Sequence, residues 1–204
     1  LMRRAKCFGI NLAKLDIRQE SSRHSQLINE LVQKKNKHNY LKWSEEEKIK
    51  FLSSKMKKKF KFIKKKYKKN YYKMSEKEKI QFFKFQLKSK KKQIKNFKFK
   101  NKENKEVWST FKILANEPSE CLGAYVISMT TSASDILSVS FLQKEANIRN
   151  KLRVVPLFET LEDLINAKEI MKNLFSQNWY RKLIQNKQEV MIGYSDSSKD
   201  AGKI

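Results

Sequence analysis

The sequence is poor in residues that build staples, membrane spans or metal sites. It has 2 cysteines, Cys7 and Cys121, which lie far apart with no CxxC pair and no histidine close to them. That excludes a metal site of clustered Cys and His and reads as two reduced thiols of a cytosolic, hence cytoplasmic, protein. No apolar run approaches the roughly 18 to 20 residues of a spanning helix, and the first residues lack the apolar core of a secretory signal, so no membrane association is expected. The 4 glycines and 2 prolines all fall outside residues 34–105, and that stretch contains no arginine.

What is present is charge, and it is localised. The formal net charge is +26. Between Lys34 and Lys105 there are 29 Lys and 6 Glu, a net of +23, so the other 132 residues carry only +3. The basicity therefore belongs to one segment. Composition divides the chain into 1–33, a mixed globular segment; 34–106, a tract of Lys, Phe, Tyr, Asn and Ile; and 107–204, mixed and globular again.

The tract contains an internal repeat. YLKWSEEEKIKFL from Tyr40 matches YYKMSEKEKIQFF from Tyr71 at 8 of 13 positions, with an offset of 31 residues, as a tandem duplication would leave. In each copy a serine precedes a glutamate by three positions, Ser44 with Glu47 and Ser75 with Glu78, the pattern of a capping box that opens a helix. Ile49, Phe51 and Leu52, and then Ile80, Phe82 and Phe83, supply a partly apolar face. The expectation is two short helices joined by lysine-rich, poorly ordered chain. Lysines interleaved with aromatics would suit a phosphate backbone with stacked bases. The absence of the bidentate arginine fork argues against that surface, and the bias is also what an AT-rich coding sequence leaves in a tolerant insertion. Nucleic acid is therefore the alternative partner, and an insertion the expectation.

The globular parts carry four short β-prone runs: Ile10 to Ile17, Ala124 to Met129, Arg153 to Phe158 and Glu189 to Tyr194. Each is followed by a polar cluster, DIRQESSRH, TTSASD, ETLED and SDSSKDAG respectively. Continuous apolar strands alternating with helices predict an α/β fold around a parallel sheet, with chemistry at the carboxyl ends of the strands. After the third strand, Thr160 and Asp163 form a capping box, and Leu161, Leu164, Ile165 and Ala167 are expected to face inward. Glu159 is then expected as the last strand residue before a helix N-terminus, where a carboxylate is both exposed and electrostatically favoured.

The strings LDIRQESSRH, AYVISMTTSASDIL, LRVVPLFETLEDL and NWYRKLIQNKQEVMIGYSDSSKDAG together resemble the phosphoenolpyruvate carboxylase family, over about Leu1 to Val32 and Trp108 to Ile204. The resemblance implies a partial (β/α)8 TIM-type barrel with extra helices, here interrupted by the Lys-rich tract. It implies a lyase that forms oxaloacetate and phosphate from phosphoenolpyruvate and bicarbonate, by way of carboxyphosphate and the enolate of pyruvate, in anaplerotic supply of the tricarboxylic acid cycle. By the same resemblance Glu159 and Asp196 hold Mg²⁺ or Mn²⁺, Lys199 lies near bicarbonate, Arg18 meets the phosphate, and the enzyme is a homo-oligomer, a tetramer. Two carboxylates with open positions suit an octahedral hard cation, and a planar guanidinium suits phosphate. His24 and His38 match no catalytic histidine of the family and are expected to be ordinary polar positions.

Several family segments are absent from these 204 residues: the TAHPT-like catalytic histidine motif, the GRGG loop and the effector-binding C-terminus. The expectation is a fragment that is inactive alone. The reading from a different class is a lysine-rich nucleic-acid-binding protein on a degenerate carboxylase scaffold.

Overall fold

The computed structural model describes residues 13–36, 38–66 and 97–193, with the side chains of 35, 36 and 57–66 left aside. Four parallel strands form one sheet in the order β1 (Leu15–Glu20), β2 (Leu122–Ser128), β3 (Arg153–Phe158), β4 (Met191–Ile192). Six α-helices among the described residues accompany them: α1 (Ser21–Asn36), α2 (Glu45–Lys66), α3 (Lys102–Leu114), α4 (Ala133–Glu145), α5 (Leu161–Phe175) and α6 (Asn178–Leu183). The fold is thus α/β, as the alternation of runs predicts. No helix among the described residues is long and apolar enough to cross a membrane.

The period-2 alternation of the central strands decides which side chains meet which layer. Tyr125 and Ile127 of β2, with Val154 and Phe158 of β3, enter the main core beside Leu27 and Ile28 of α1, Phe111 of α3, Ile136 and Leu137 of α4, and Leu174 of α5. The intervening Ala124, Val126, Val155 and Leu157 form a separate buried cluster. The connecting helices α1, α4 and α5 all contribute to the first cluster, so they cover one face of the sheet. The other face is lined by small aliphatic side chains.

Three sequence expectations need correction. The first strand lies at Leu15–Glu20 and runs on past Ile17, because DIRQE belongs to the strand: Arg18, Gln19 and Glu20 pair with Val126, Ile127 and Ser128; the expected start at Ile10 lies outside the described residues. An edge strand with one solvated face tolerates this polar content, and its burial alternates accordingly. The fourth strand is confined to Met191–Ile192, and Tyr194 lies outside the described residues. In α5 the inward side chains are Leu164, Ala167, Ile170, Met171 and Leu174, while Leu161 and Ile165, one turn apart, are 48% and 70% exposed. The two form a stripe rotated off the core-facing side.

The first copy of the repeat is core, not an appendage. Ser44 opens α2 as the capping box requires: Glu47 N donates to Ser44 Oγ at 3.2 Å and Ser44 N to Glu47 Oε2 at 2.8 Å. The helix then runs 22 residues, longer than the short helix expected. Tyr40 and Leu52 are fully buried. Tyr40, Trp43 and Phe51 form an edge-on aromatic cluster, with centroids 5.4 to 6.1 Å apart, that reaches Phe141 of α4. Glu45 Oε1 and Oε2 accept from Ser134 N at 2.7 Å and Ser134 Oγ at 2.6 Å, so a carboxylate from the tract caps the N-terminus of α4. The aromatics of this copy are spent on packing and do not form a surface for stacking bases. The second copy lies outside the described residues.

Candidate active site at the carboxyl ends of the strands

Glu159 is not the last strand residue but follows β3 directly, and it is buried, 8% exposed, because Arg18 and the start of α5 close over it. Its backbone is fixed by the start of α5. Asp163 Oδ2 accepts from Thr160 N at 3.1 Å and from Glu159 N at 3.3 Å, while Asp163 N donates to Thr160 Oγ1 at 3.1 Å. The capping box read from the sequence is therefore also the clamp that positions Glu159, a second use for Asp163 that the motif alone does not reveal.

Arg18 reaches this carboxylate from β1. Ile17 packs into the helix-covered core, so alternation sends Arg18 to the opposite face, where its Nη2 lies 2.5 Å from Glu159 Oε1. The guanidinium is 58% exposed against 10% for the carboxylate side chain. An ion pair so open to solvent contributes little to stability. Its importance lies in placement, since it brings residues 141 positions apart to one point on the sheet face away from the helices.

Two further residues shape the site without having been singled out by the sequence. Met129 follows β2 with φ 53°, in the left-handed region that non-glycine residues seldom adopt. This turn directs its N–H toward Glu159 Oε2 at 3.4 Å, and Ser21 Oγ holds its carbonyl at 2.6 Å. Nothing about a methionine signals that conformation. Gly193 follows β4, donates its N–H to Phe158 O at 3.0 Å, and lies flat against the acid: a Cβ there would stand 3.1 Å from Glu159 Cγ. Gly193 thus brings the end of β4 beside Glu159. Asp196 and Lys199 themselves lie outside the described residues. Among the described residues no group of three or more His, Cys, Asp or Glu side chains is placed to hold a metal.

His24 departs from its expected ordinary polar position. It is wholly buried in α1, with Nε2 2.8 Å from Tyr125 Oη and Nδ1 without a partner among the described residues. Phe111 stacks on Tyr125 at 5.3 Å and meets the imidazole edge-on at 6.2 Å. Burial, aided by the neighbouring Arg23 charge, depresses its pKa from 6.5 to about 3. The imidazole is therefore neutral and structural. His38 is exposed.

The sequence model of the family described as phosphoenolpyruvate carboxylase matches residues 1–70 and 62–204. The chain belongs to the phosphoenolpyruvate carboxylase family. It is 43% identical over 203 residues to the C4 phosphoenolpyruvate carboxylase of Flaveria trinervia, covering 100% of this chain and 18% of that protein. It is 44% identical over 199 residues to the phosphoenolpyruvate carboxylase of Acinetobacter baylyi, covering 98% and 20%, and 42% identical over 202 residues to that of Photorhabdus laumondii, covering 99% and 20%. The chain thus spans about a fifth of the length of these curated relatives. The two matched stretches of the carboxylase family overlap at 62–70, immediately before Tyr71 opens the second repeat copy. The first stretch contains the copy at Tyr40, and the second contains the copy at Tyr71.

Proposed function

We propose that the chain carries the phosphate, cation and bicarbonate side of a phosphoenolpyruvate carboxylase active site, in an enzyme that forms oxaloacetate and phosphate for anaplerotic supply of the tricarboxylic acid cycle. The observation that carries this reading is the meeting of the Arg18 guanidinium and the Glu159 carboxylate at the strand ends, beside the glycine that leads into GYSDSSKDAG. Family membership gives the reaction class.

The residues fit a hard divalent cation, Mg²⁺ or Mn²⁺. Glu159 offers carboxylate oxygens on a backbone clamped by Asp163, and Asp196 follows by three residues, a reach of about 10 Å, from Gly193, which lies against Glu159. These two carboxylates would hold the ion, leaving positions for substrate oxygens. When bound, it supplies positive charge to the enolate and phosphate oxygens. The chain's own side chains do the rest. Arg18 presents its planar fork to the phosphate of phosphoenolpyruvate. Lys199 holds bicarbonate against a second anion. A bicarbonate oxygen forms the new bond to phosphorus as the bridging P–O bond breaks, and the electron pair passes to the enolate oxygen. The C–O bond of the carboxyphosphate then breaks, its electron pair and the bicarbonate proton leaving with inorganic phosphate, and the enolate carbon bonds to the released carbon dioxide to give oxaloacetate.

The four strands are part of an eight-stranded barrel in this reading. Sequential order, uniform parallel direction and all three connecting helices on one face suit a barrel rather than a doubly wound sheet, in which the order reverses and helices cover both faces. The aliphatic cluster of Ala124, Val126, Val155 and Leu157 suits the barrel interior. The assembled enzyme is cytoplasmic and tetrameric.

The test is steady-state kinetics of the full-length enzyme that contains this segment, with oxaloacetate reduced to malate and followed by NADH absorbance. Arg18→Gln should raise the KM for phosphoenolpyruvate with little effect on the bicarbonate dependence, and Lys199→Ala should do the reverse. Unchanged kinetics in both variants would remove the proposal.

A further inference from the structure

The groove that receives residues 40–56 is lined by α1, α4 and α6. Its contacts are specific: Asn29 Oδ1 accepts from Tyr40 N at 2.8 Å, Ser134 donates to Glu45, and the Trp179 indole donates to Ser53 Oγ at 2.9 Å. Lys144 Nζ donates to the backbone carbonyls of Lys55 and Met56, a contact indifferent to side-chain identity. Shifting the sequence by 31 residues repeats most of this set. Asn39, Tyr40, Ser44, Glu45, Glu47, Ile49 and Phe51 become Asn70, Tyr71, Ser75, Glu76, Glu78, Ile80 and Phe82 without change of residue type. The residue types that in the first copy cap the 3₁₀ turn Tyr40–Lys42 through Asn39, fill the core with a tyrosine ring, form the capping box, cap α4 and supply the Phe51 anchor all recur in the second copy.

We propose that this groove is a binding site for either copy, and that residues 71–87 can replace residues 40–56 in it, so that the fold has two registers related by a 31-residue shift. The connections allow both. In the described register three residues join Asn36 to Tyr40, and 57–96 lead back to Phe97, which packs on the same core. In the shifted register the 31 residues move to the first connection, and 88–96 must span from Leu87 to Phe97, a reach of about 30 Å. Closure entropy depends only weakly on which connection holds the surplus. The split match to the family points the same way, since the copy at Tyr71 is matched in continuity with everything that follows it.

Two side chains select the observed register. Leu52 is fully buried and Ser53 is 7% exposed. The second copy places Phe83 and Lys84 there, which overpacks the first position and puts an ammonium where a hydroxyl joins Trp179 and Gln177. Trp43, which packs on Tyr40 and Phe51, corresponds to Met74, so the shifted register frees its indole from the groove.

That difference supplies the test. The chain has 3 tryptophans, so the 204-residue chain labelled with 5-fluorotryptophan gives three ¹⁹F resonances. In the unsubstituted chain Trp43 should show its packed shift alone. Phe83→Leu with Lys84→Ser repairs the second copy, and the Trp43 resonance should then divide into packed and solvent-exposed signals of comparable intensity. Adding Leu52→Asp to the repaired chain should leave only the exposed Trp43 signal, with Trp108 kept at its native position. An undivided Trp43 signal in the repaired chain would overturn the proposal, as would loss of the native Trp108 signal when Leu52→Asp is added.

Discussion

Stability should fall steeply in mild acid because of one side chain. His24 is held neutral in the folded protein with a pKa near 3, against 6.5 when unfolded. Its folded-state pKa is depressed, so between pH 6.5 and 3 the unfolded chain binds a proton that the native chain refuses. Stability is therefore complete above about pH 7, declines as the pH falls through 6.5, and stops declining from this source only near pH 3. The loss at pH 5 relative to pH 7 is about 2 kcal/mol from this imidazole alone, a substantial share of a typical domain's stability. The assay is urea unfolding followed by tryptophan fluorescence at pH 7, 6 and 5, on the unsubstituted chain and on His24→Gln. Glutamine keeps an amide for the Tyr125 hydroxyl, which lies 2.8 Å from the imidazole, but does not titrate. The variant should start less stable at pH 7 and lose about 2 kcal/mol less by pH 5. Parallel pH profiles for the two proteins would refute the reasoning.

Two other substitutions probe the elements that hold the site. Glu45→Ala removes the acceptor for both Ser134 groups and should cost about 1 to 3 kcal/mol, with hydrogen exchange accelerating first at Ser134, Asp135 and Ile136 in the opening turn of α4. Gly193→Ala puts a methyl 3.1 Å from Glu159 Cγ, so either the acid or the strand end must give by a few tenths of an ångström. Its thermal midpoint should change by only a few degrees, whereas Mn²⁺ affinity in the full-length enzyme should fall several-fold, a split that calorimetry and a cation titration resolve.

The parts of this molecule legible in sequence are those set by local rules. Strand β3, with Val, Leu and Phe in one run, lies at the expected residues, and the boxes at Ser44 and Thr160 form the expected hydrogen bonds. What the sequence conceals depends on distant partners. DIRQE looks like a polar loop until β2 pairs with it. Leu161 and Ile165 look inward-facing until the core is seen to lie beneath Ile170 and Leu174. His24 looks ordinary because its desolvation comes from residues about a hundred positions away. The role of the first repeat copy was hidden by its lysines, since composition averages over a helix whose few apolar positions are buried. In the candidate site, family resemblance singles out Glu159 and Arg18, which the fold brings into contact, while Met129 owes its place to a backbone angle that no residue type announces.

The central claim is that Glu159 and Asp196 share one divalent cation at the ends of β3 and β4. Titrating Mn²⁺ into the full-length enzyme that carries this segment, and following the decline of the free-ion electron paramagnetic resonance signal, tests it directly. Glu159→Gln and Asp196→Asn should each weaken the same site by at least tenfold, and the double variant should be little worse than either single one, because a shared site lost once cannot be lost again. Undiminished Mn²⁺ binding in either single variant would contradict the account.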